Sequence, residues 1–119
     1  MKLRFPKSAR LTRSPEFRRV REEGRTQGGR FFVLSWLENA APGPSRIGII
    51  TSRRVGGAVE RSRARRLLRE AVRLTRPRLT PGAWIVLIAR RPLADAGFAE
   101  VNAEWLRLAR RAAILPGDG

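Results

Sequence analysis

Residues 83–89, AWIVLIA, limit the possible folds more than any other segment, because seven apolar side chains follow one another without a polar break. The run is far too short to cross a bilayer as a helix, which takes about 20 residues. It has the length of a β-strand, and a continuously apolar strand belongs at the centre of a sheet. Pro81-Gly82 supplies the turn that precedes it. Helices then have to cover at least one face of that sheet, and 119 residues suffice for one such domain.

The other elements follow from local pattern. Ser14-Pro15-Glu16 reads as a helix start, with Ser14 as cap, Pro15 at the first helical position and Glu16 at the positive dipole end. Gly24 ends that helix, which carries Phe17 and Val20 on one side and Arg18, Arg19 and Arg21 around the rest. Residues 31–37, FFVLSWL, alternate as a strand, with Phe32, Leu34 and Trp36 on one face and Phe31, Val33, Ser35 and Leu37 on the other. Residues 39–45, NAAPGPS, read as a hairpin loop leading to a second strand over 46–52. A helix is expected from Ala58 to Thr75, closed by Pro77. The last helix starts near residues 95–97, and its Phe98, Val101, Trp105, Leu108 and Ala112 recur at helical spacing as a core stripe. Trp36, Trp84 and Trp105 are assigned to the core. The order is α-β-β-α-β-α, a single-domain α+β two-layer sandwich over residues 1–119, with flexible ends at 1–9 and 114–119.

Composition narrows the function. Lys and Arg number 26 against 10 Asp and Glu, a formal charge of +16 that repels itself and calls for a polyanionic partner, nucleic acid first. The chain has neither cysteine nor histidine, which removes disulfides, thiolate chemistry and the usual general base. No apolar run follows the basic N-terminus, so a cytoplasmic, membrane-independent protein is expected.

The charge has a definite placement. In the helix over Ala58 to Thr75, Ala64, Leu67, Leu68, Ala71 and Leu74 form an apolar stripe, while Arg61, Arg65, Arg69 and Arg73 step along the opposite side at intervals of roughly 6 Å. Arg63 and Arg66 widen this ladder. Guanidinium forks on a rigid helix suit phosphate oxygens; the competing reading is a solvated face kept for solubility. Before it, Thr51-Ser52-Arg53-Arg54-Val55-Gly56-Gly57 fits either an anion-binding helix start or glycines needed for a tight strand-to-helix turn.

Read as one block, TSRRVGGAVERSRARRLLRE resembles the motif of the bacterial ribonuclease P protein family. Ser52, Arg53, Arg54, Val55, Gly56, Ala58 and Val59 match its first half, and Arg61, Arg63, Arg65, Arg66, Leu67, Leu68 and Arg69 its second. Gly57 and Ser62 stand where the family usually has asparagine. Arg10-Leu11, Glu16-Phe17 with Val20 and Gly24, Arg30 to Val33, and Ile88 to Pro92 match in order, so the resemblance covers about residues 10 to 113. It implies a left-handed βαβ crossover of the ribosomal protein S5 domain 2-like kind, where pattern alone favours the right-handed form.

The resemblance also implies a protein subunit whose partner RNA cleaves the 5′ leader from precursor tRNA. Mg²⁺ is then held by the RNA, the protein contributes no catalytic residue, and no obligate protein partner is needed. Arg53, Arg54, Arg61, Arg63, Arg65, Arg66 and Arg69 inherit contact with ribonuclease P RNA. Phe17 and Val33 inherit a cleft for the leader, although Phe17 is equally suited to anchor its helix in the core. Phe31 joins them by strand alternation, and Arg21 sits where the family has a second aromatic, as Ser35 does on the strand. Phosphate contact at Arg21 is expected to replace part of the base stacking. The alternatives are a structural, ribosomal-type RNA-binding protein, and a self-sufficient metal nuclease using Glu60 or Glu70.

Overall fold

The apolar run becomes the strand around which the sheet is assembled. In the computed structural model, which describes residues 10–116, the elements are α1 (Ser14–Glu23), β1 (Arg25–Gly28), β2 (Phe32–Leu37), β3 (Arg46–Ile50), α2 (Ala58–Thr75), β4 (Trp84–Ala89) and α3 (Phe98–Arg111). Short 3-10 turns, Arg76–Arg78 and Arg91–Asp95, follow α2 and β4. Strand order is β1-β2-β4-β3. β4 is flanked by β2 antiparallel and by β3 parallel, so both of its edges are paired.

The observed order, α-β-β-β-α-β-α, contains a strand more than the pattern reading gave. β1, RTQG, has no apolar alternation and is mostly exposed, because an edge strand is held by its pairing with β2 rather than by burial. The hairpin expected across residues 39–45 is also corrected. β2 and β3 are not neighbours, because β4 lies between them. The loop instead fastens to the turn before β4, with the Ala40 N–H donating to Gly82 O at 2.8 Å and the Arg46 N–H to Ala83 O at 2.9 Å. Pairing β2 directly with β3 would have left β4 with an unpaired edge, exposing backbone donors of the most apolar strand.

Side-chain alternation in β4 feeds two cores. Ile85 and Leu87 point into the larger one with Phe32, Leu34, Trp36 and Ile47 of the sheet, Ala64, Leu68, Ala71 and Val72 of α2, and Val101, Trp105 and Leu108 of α3. Val86 points the other way, into a smaller cluster with Leu11 and Val20 of α1. The expected two-layer sandwich therefore has helices on both faces, two on one and α1 on the other, because β4 is apolar on both.

Three smaller corrections share a physical origin in tertiary packing. Helix α1 begins at Ser14 with Arg13 as its N-cap, because the Glu16 carboxylate accepts the Arg13 N–H at 3.1 Å. On α2 the buried stripe is Ala64, Leu68, Ala71, Val72 and Thr75, whereas Leu74 is 44% exposed. Thr75 is preferred inside because its hydroxyl accepts the Trp105 indole N–H at 2.8 Å and donates to Val72 O. Ile114 and Leu115, placed in a flexible end by the sequence reading, are buried beside α3, and Ile114 O accepts the Thr80 N–H at 2.9 Å. The proposed flexible segment 1–9 and residues 117–119 lie outside the described residues.

Candidate nucleic-acid interface

On the α1 side of the sheet, register partners from β2, β4 and β3 form three rows: Leu37, Trp84 and Arg46; Ser35, Val86 and Gly48; Val33, Ile88 and Ile50. Helix α1 is fixed over the first two. The Arg46 guanidinium donates to Glu16 at 2.6 Å and to Arg10 O at 2.7 Å. Arg19 lies over the Trp84 ring, 5.3 Å from its centroid, and donates to Ala40 O at 3.0 Å. Trp84 is thus half-buried beneath two arginines, Arg19 and Arg46, rather than enclosed as a core tryptophan. Burial opposes ionisation of Glu16, but hydrogen bonds from the Arg13 N–H, the Arg46 guanidinium and the Thr12 N–H, with the Arg46 charge, hold its carboxyl below the usual range.

Phe17 reaches down from α1 onto the middle row, where a Cβ on Gly48 would stand 2.4 Å from the ring. Only glycine admits the ring at that depth. Ser35 in the same row is buried and hydrogen-bonded to Thr26 at 3.1 Å. The third row stays open. Ile50 borders a hollow of about 650 Å³ with Phe17, Arg18 and Arg21, and Val33 and Ile88 border another of about 760 Å³ with Ser52, Arg54, Arg90 and Arg91. Since Ile50 and Ile88 are register partners, the two hollows lie side by side on this face as a cleft in two parts, each with apolar residues in its floor and arginines at its side.

Phe17 and Arg21 line the first part of the cleft and Val33 the second, whereas Phe31 lines neither. Phe31 precedes β2 in a bend, is only 6% exposed, and packs in the larger core. Its place is set from α3: Glu104, itself 4% exposed, accepts the N–H groups of Arg30, Phe31 and Phe32 at 2.7, 2.8 and 3.1 Å. That clamp breaks the alternation assumed for residues 31–37. Arg18, Arg90 and Arg91 were missed as lining residues; Arg90-Arg91 directly after the apolar run was the available signal, since the end of a central strand opens onto a sheet edge.

Helix α2 lies on the other face, with its ladder along the outer side. Arg53, Arg54 and Arg66 are exposed, and Arg61, Arg65 and Arg69 are half-buried. Arg65 donates to Thr51 Oγ1 at 2.6 Å. Burial, and then the charges of Arg10 and Arg65, push the Arg69 guanidinium below its ordinary pKa. Arg63 differs from the rest, because its guanidinium donates to Ala94 O at 2.8 Å and Ala96 O at 2.6 Å and so ties α2 to the turn before α3. Arg73 is engaged by Glu70, whose carboxyl that hydrogen bond holds below its usual range. At the head of α2, Gly57 offers no side-chain cap, and Gly56 has φ +146°, a conformation that L side chains rarely adopt.

A sheet with an arginine-lined cleft on one face and an arginine-bearing helix on the other defines a small α+β domain with two cationic surfaces. A family model for ribonuclease P matches residues 5–113. The ribonuclease P protein component of Chloroflexus aurantiacus is 47% identical over 108 residues, covering 90% of this chain and 79% of the relative. That of Roseiflexus castenholzii is 45% identical over 116 residues, covering 93% and 92%. Among solved structures, the ribonuclease P protein of Staphylococcus aureus superposes with a TM-score of 0.83 at 25% identity, covering 92% of this chain and 99% of that one. The Thermotoga maritima protein gives 0.76 at 29% identity, covering 86% and 98%. The chain belongs to the ribonuclease P protein family. It is a subunit of an endoribonuclease that processes the 5′ end of tRNA, in partnership with ribonuclease P RNA.

Proposed function

We propose that the chain binds ribonuclease P RNA along α2 and the turn before it, through Arg53, Arg54, Arg61, Arg65, Arg66 and Arg69. The cleft under α1 then holds the single-stranded 5′ leader of precursor tRNA. The observation that carries this reading is the open row of Val33, Ile88 and Ile50 beside Phe17, an apolar floor three strands wide with arginines on both sides. Stacking on an aromatic ring accepts any base and contributes about 1–3 kcal/mol per base, and Arg18, Arg21 and Arg91 meet phosphates. Arg63 supports α2 more than it serves RNA. Phosphodiester cleavage belongs to the RNA, which also holds Mg²⁺. Glu16, Glu70 and Glu104 suit that ion poorly, since each is engaged by arginine or backbone N–H groups. The protein lowers the electrostatic cost of bringing two polyanions together, and it works in the cytoplasm.

The test is cleavage of precursor tRNA by a bacterial ribonuclease P RNA at low Mg²⁺, with and without the protein, and with protein alone. Correct 5′ processing that needs both components is expected, and Phe17→Ala is expected to weaken precursor binding while sparing mature tRNA. Equal loss for both tRNAs would remove the leader from the cleft. An RNA-binding protein that leaves the ribozyme unaffected would be structural, and cleavage by protein alone would give the chemistry to its carboxylates.

A further inference from the structure

A third hollow lies on the outer side of α2, where it meets the start of α3, away from the α1 cleft. It encloses about 670 Å³. Leu67 and Phe98 form its floor, both half-buried and packed on the edge of the larger core. Arg63, Arg66, Arg69 and Arg73 form its walls, and the lining between their charged ends is mostly carbon.

Two of those walls are set before any ligand arrives. Arg63 is held by the carbonyls of Ala94 and Ala96 just ahead of α3, and Arg73 by the Glu70 carboxylate through both Nε and a terminal nitrogen. The same pairing offsets the charge of Glu70, the one acidic group among the described residues that line the hollow. Among the described residues, no carboxylate is hydrogen-bonded to Arg66 or Arg69 to offset their charge.

An aromatic ring at the bottom of a cationic groove matches a particular chemistry. A phosphate alone gains nothing from Phe98, and an apolar peptide gains nothing from guanidinium walls. A nucleotide uses both, with its base on the ring and its phosphates on the forks. We propose that the groove between α2 and α3 receives one unstacked nucleotide of the partner RNA, with Phe98 and Leu67 under the base and Arg66 and Arg69 on the flanking phosphates. This rests on α2 facing ribonuclease P RNA. It adds a contact that depends on the base to a helix whose other contacts are electrostatic.

The experiment cross-links the full-length chain to a bacterial ribonuclease P RNA by ultraviolet irradiation, maps the joined peptide, and measures affinity across a salt series. A cross-link at Phe98 is expected. Phe98→Leu, which keeps the packing, is expected to retain the melting temperature, lose the cross-link, and weaken binding roughly five- to tenfold at an unchanged salt slope. Arg66→Ala is expected to lower the slope by about 0.7–0.9. If Phe98→Leu binds like the parent and no cross-link forms there, while Arg66→Ala still weakens binding, the groove is no base site and the α2 interface stands. If Arg66→Ala and Arg69→Ala leave affinity unchanged, the underlying reading of α2 fails instead. Binding of a polyglutamate peptide equally to the parent and to Phe98→Leu, with RNA affinity the same for both, would reassign the groove to an acidic protein and overturn the base contact.

Discussion

Glu104 offers the sharpest test of how this fold is held together. Its carboxylate is buried and takes the N–H groups of Phe31 and Phe32, both buried, and of Arg30, partly buried. It joins α3 to the start of β2, the strand that carries Val33 into the cleft. Glu104→Ala deletes the acceptor without supplying another. A buried donor left unpaired costs about 1–3 kcal/mol, so two such groups give about 2–6 kcal/mol, with the Arg30 N–H partly rescued by water. A loss of about 4 kcal/mol is a large share of the 5–15 kcal/mol typical of a domain. At about 4 °C per kcal/mol it lowers the melting temperature by roughly 15 °C. Glu104→Gln keeps one carbonyl oxygen and is expected to lose about half as much. Gly29→Ala approaches from the other side, since its Cβ would stand 2.6 Å from the Glu104 carboxylate; it is expected to loosen the same clamp. Urea unfolding followed by far-ultraviolet circular dichroism measures all three. A loss below about 1 kcal/mol for Glu104→Ala would show that the three N–H groups find other partners, and the clamp argument would fail.

Two further outcomes follow from the arginines and from Glu16. Arg63→Ala is expected to lower stability by about 1–3 kcal/mol, because it frees carbonyls that support the start of α3, whereas Arg66→Ala leaves stability unchanged and weakens RNA binding; a reversal of those two effects in paired melting and binding measurements would contradict the division of labour on α2. Glu16 has its folded-state pKa lowered from about 4.5, so the folded chain binds fewer protons there than the unfolded one. Its contribution is fully present above that value and is lost as pH falls through the folded pKa. Glu16→Gln is therefore expected to flatten part of the acid-side fall in melting temperature, and an unchanged pH profile would show that Glu16 titrates normally.

Elements with strong local pattern were legible in the sequence. Helix α2 spans Ala58–Thr75 as its periodicity and Pro77 require, β4 occupies the apolar run, and α3 buries Val101, Trp105 and Leu108. The arginine ladder was legible for the same reason, since helical spacing alone puts Arg61, Arg65 and Arg69 on one side. The motif at 51–70 and its ordered companions carried the family, because a run of backbone-specific glycines and spaced arginines is rare by chance.

Partnership between distant segments was decided elsewhere. Nothing local in RTQG announces a strand, because β1 exists by pairing with β2. Residues 39–45 look like a hairpin, yet β4 inserts between β2 and β3, since an apolar strand gains most when both its edges and both its faces are covered. Phe31 follows strand alternation on paper and leaves it because a carboxylate 73 residues away holds its N–H. The difference between Arg63, bound to carbonyls, and Arg66, open to solvent, is likewise invisible in a helical wheel. Local free energies set which segments are helix and strand. Which faces meet, and which arginines remain available to RNA, depends on hydrogen bonds and contacts that only the assembled fold brings within reach.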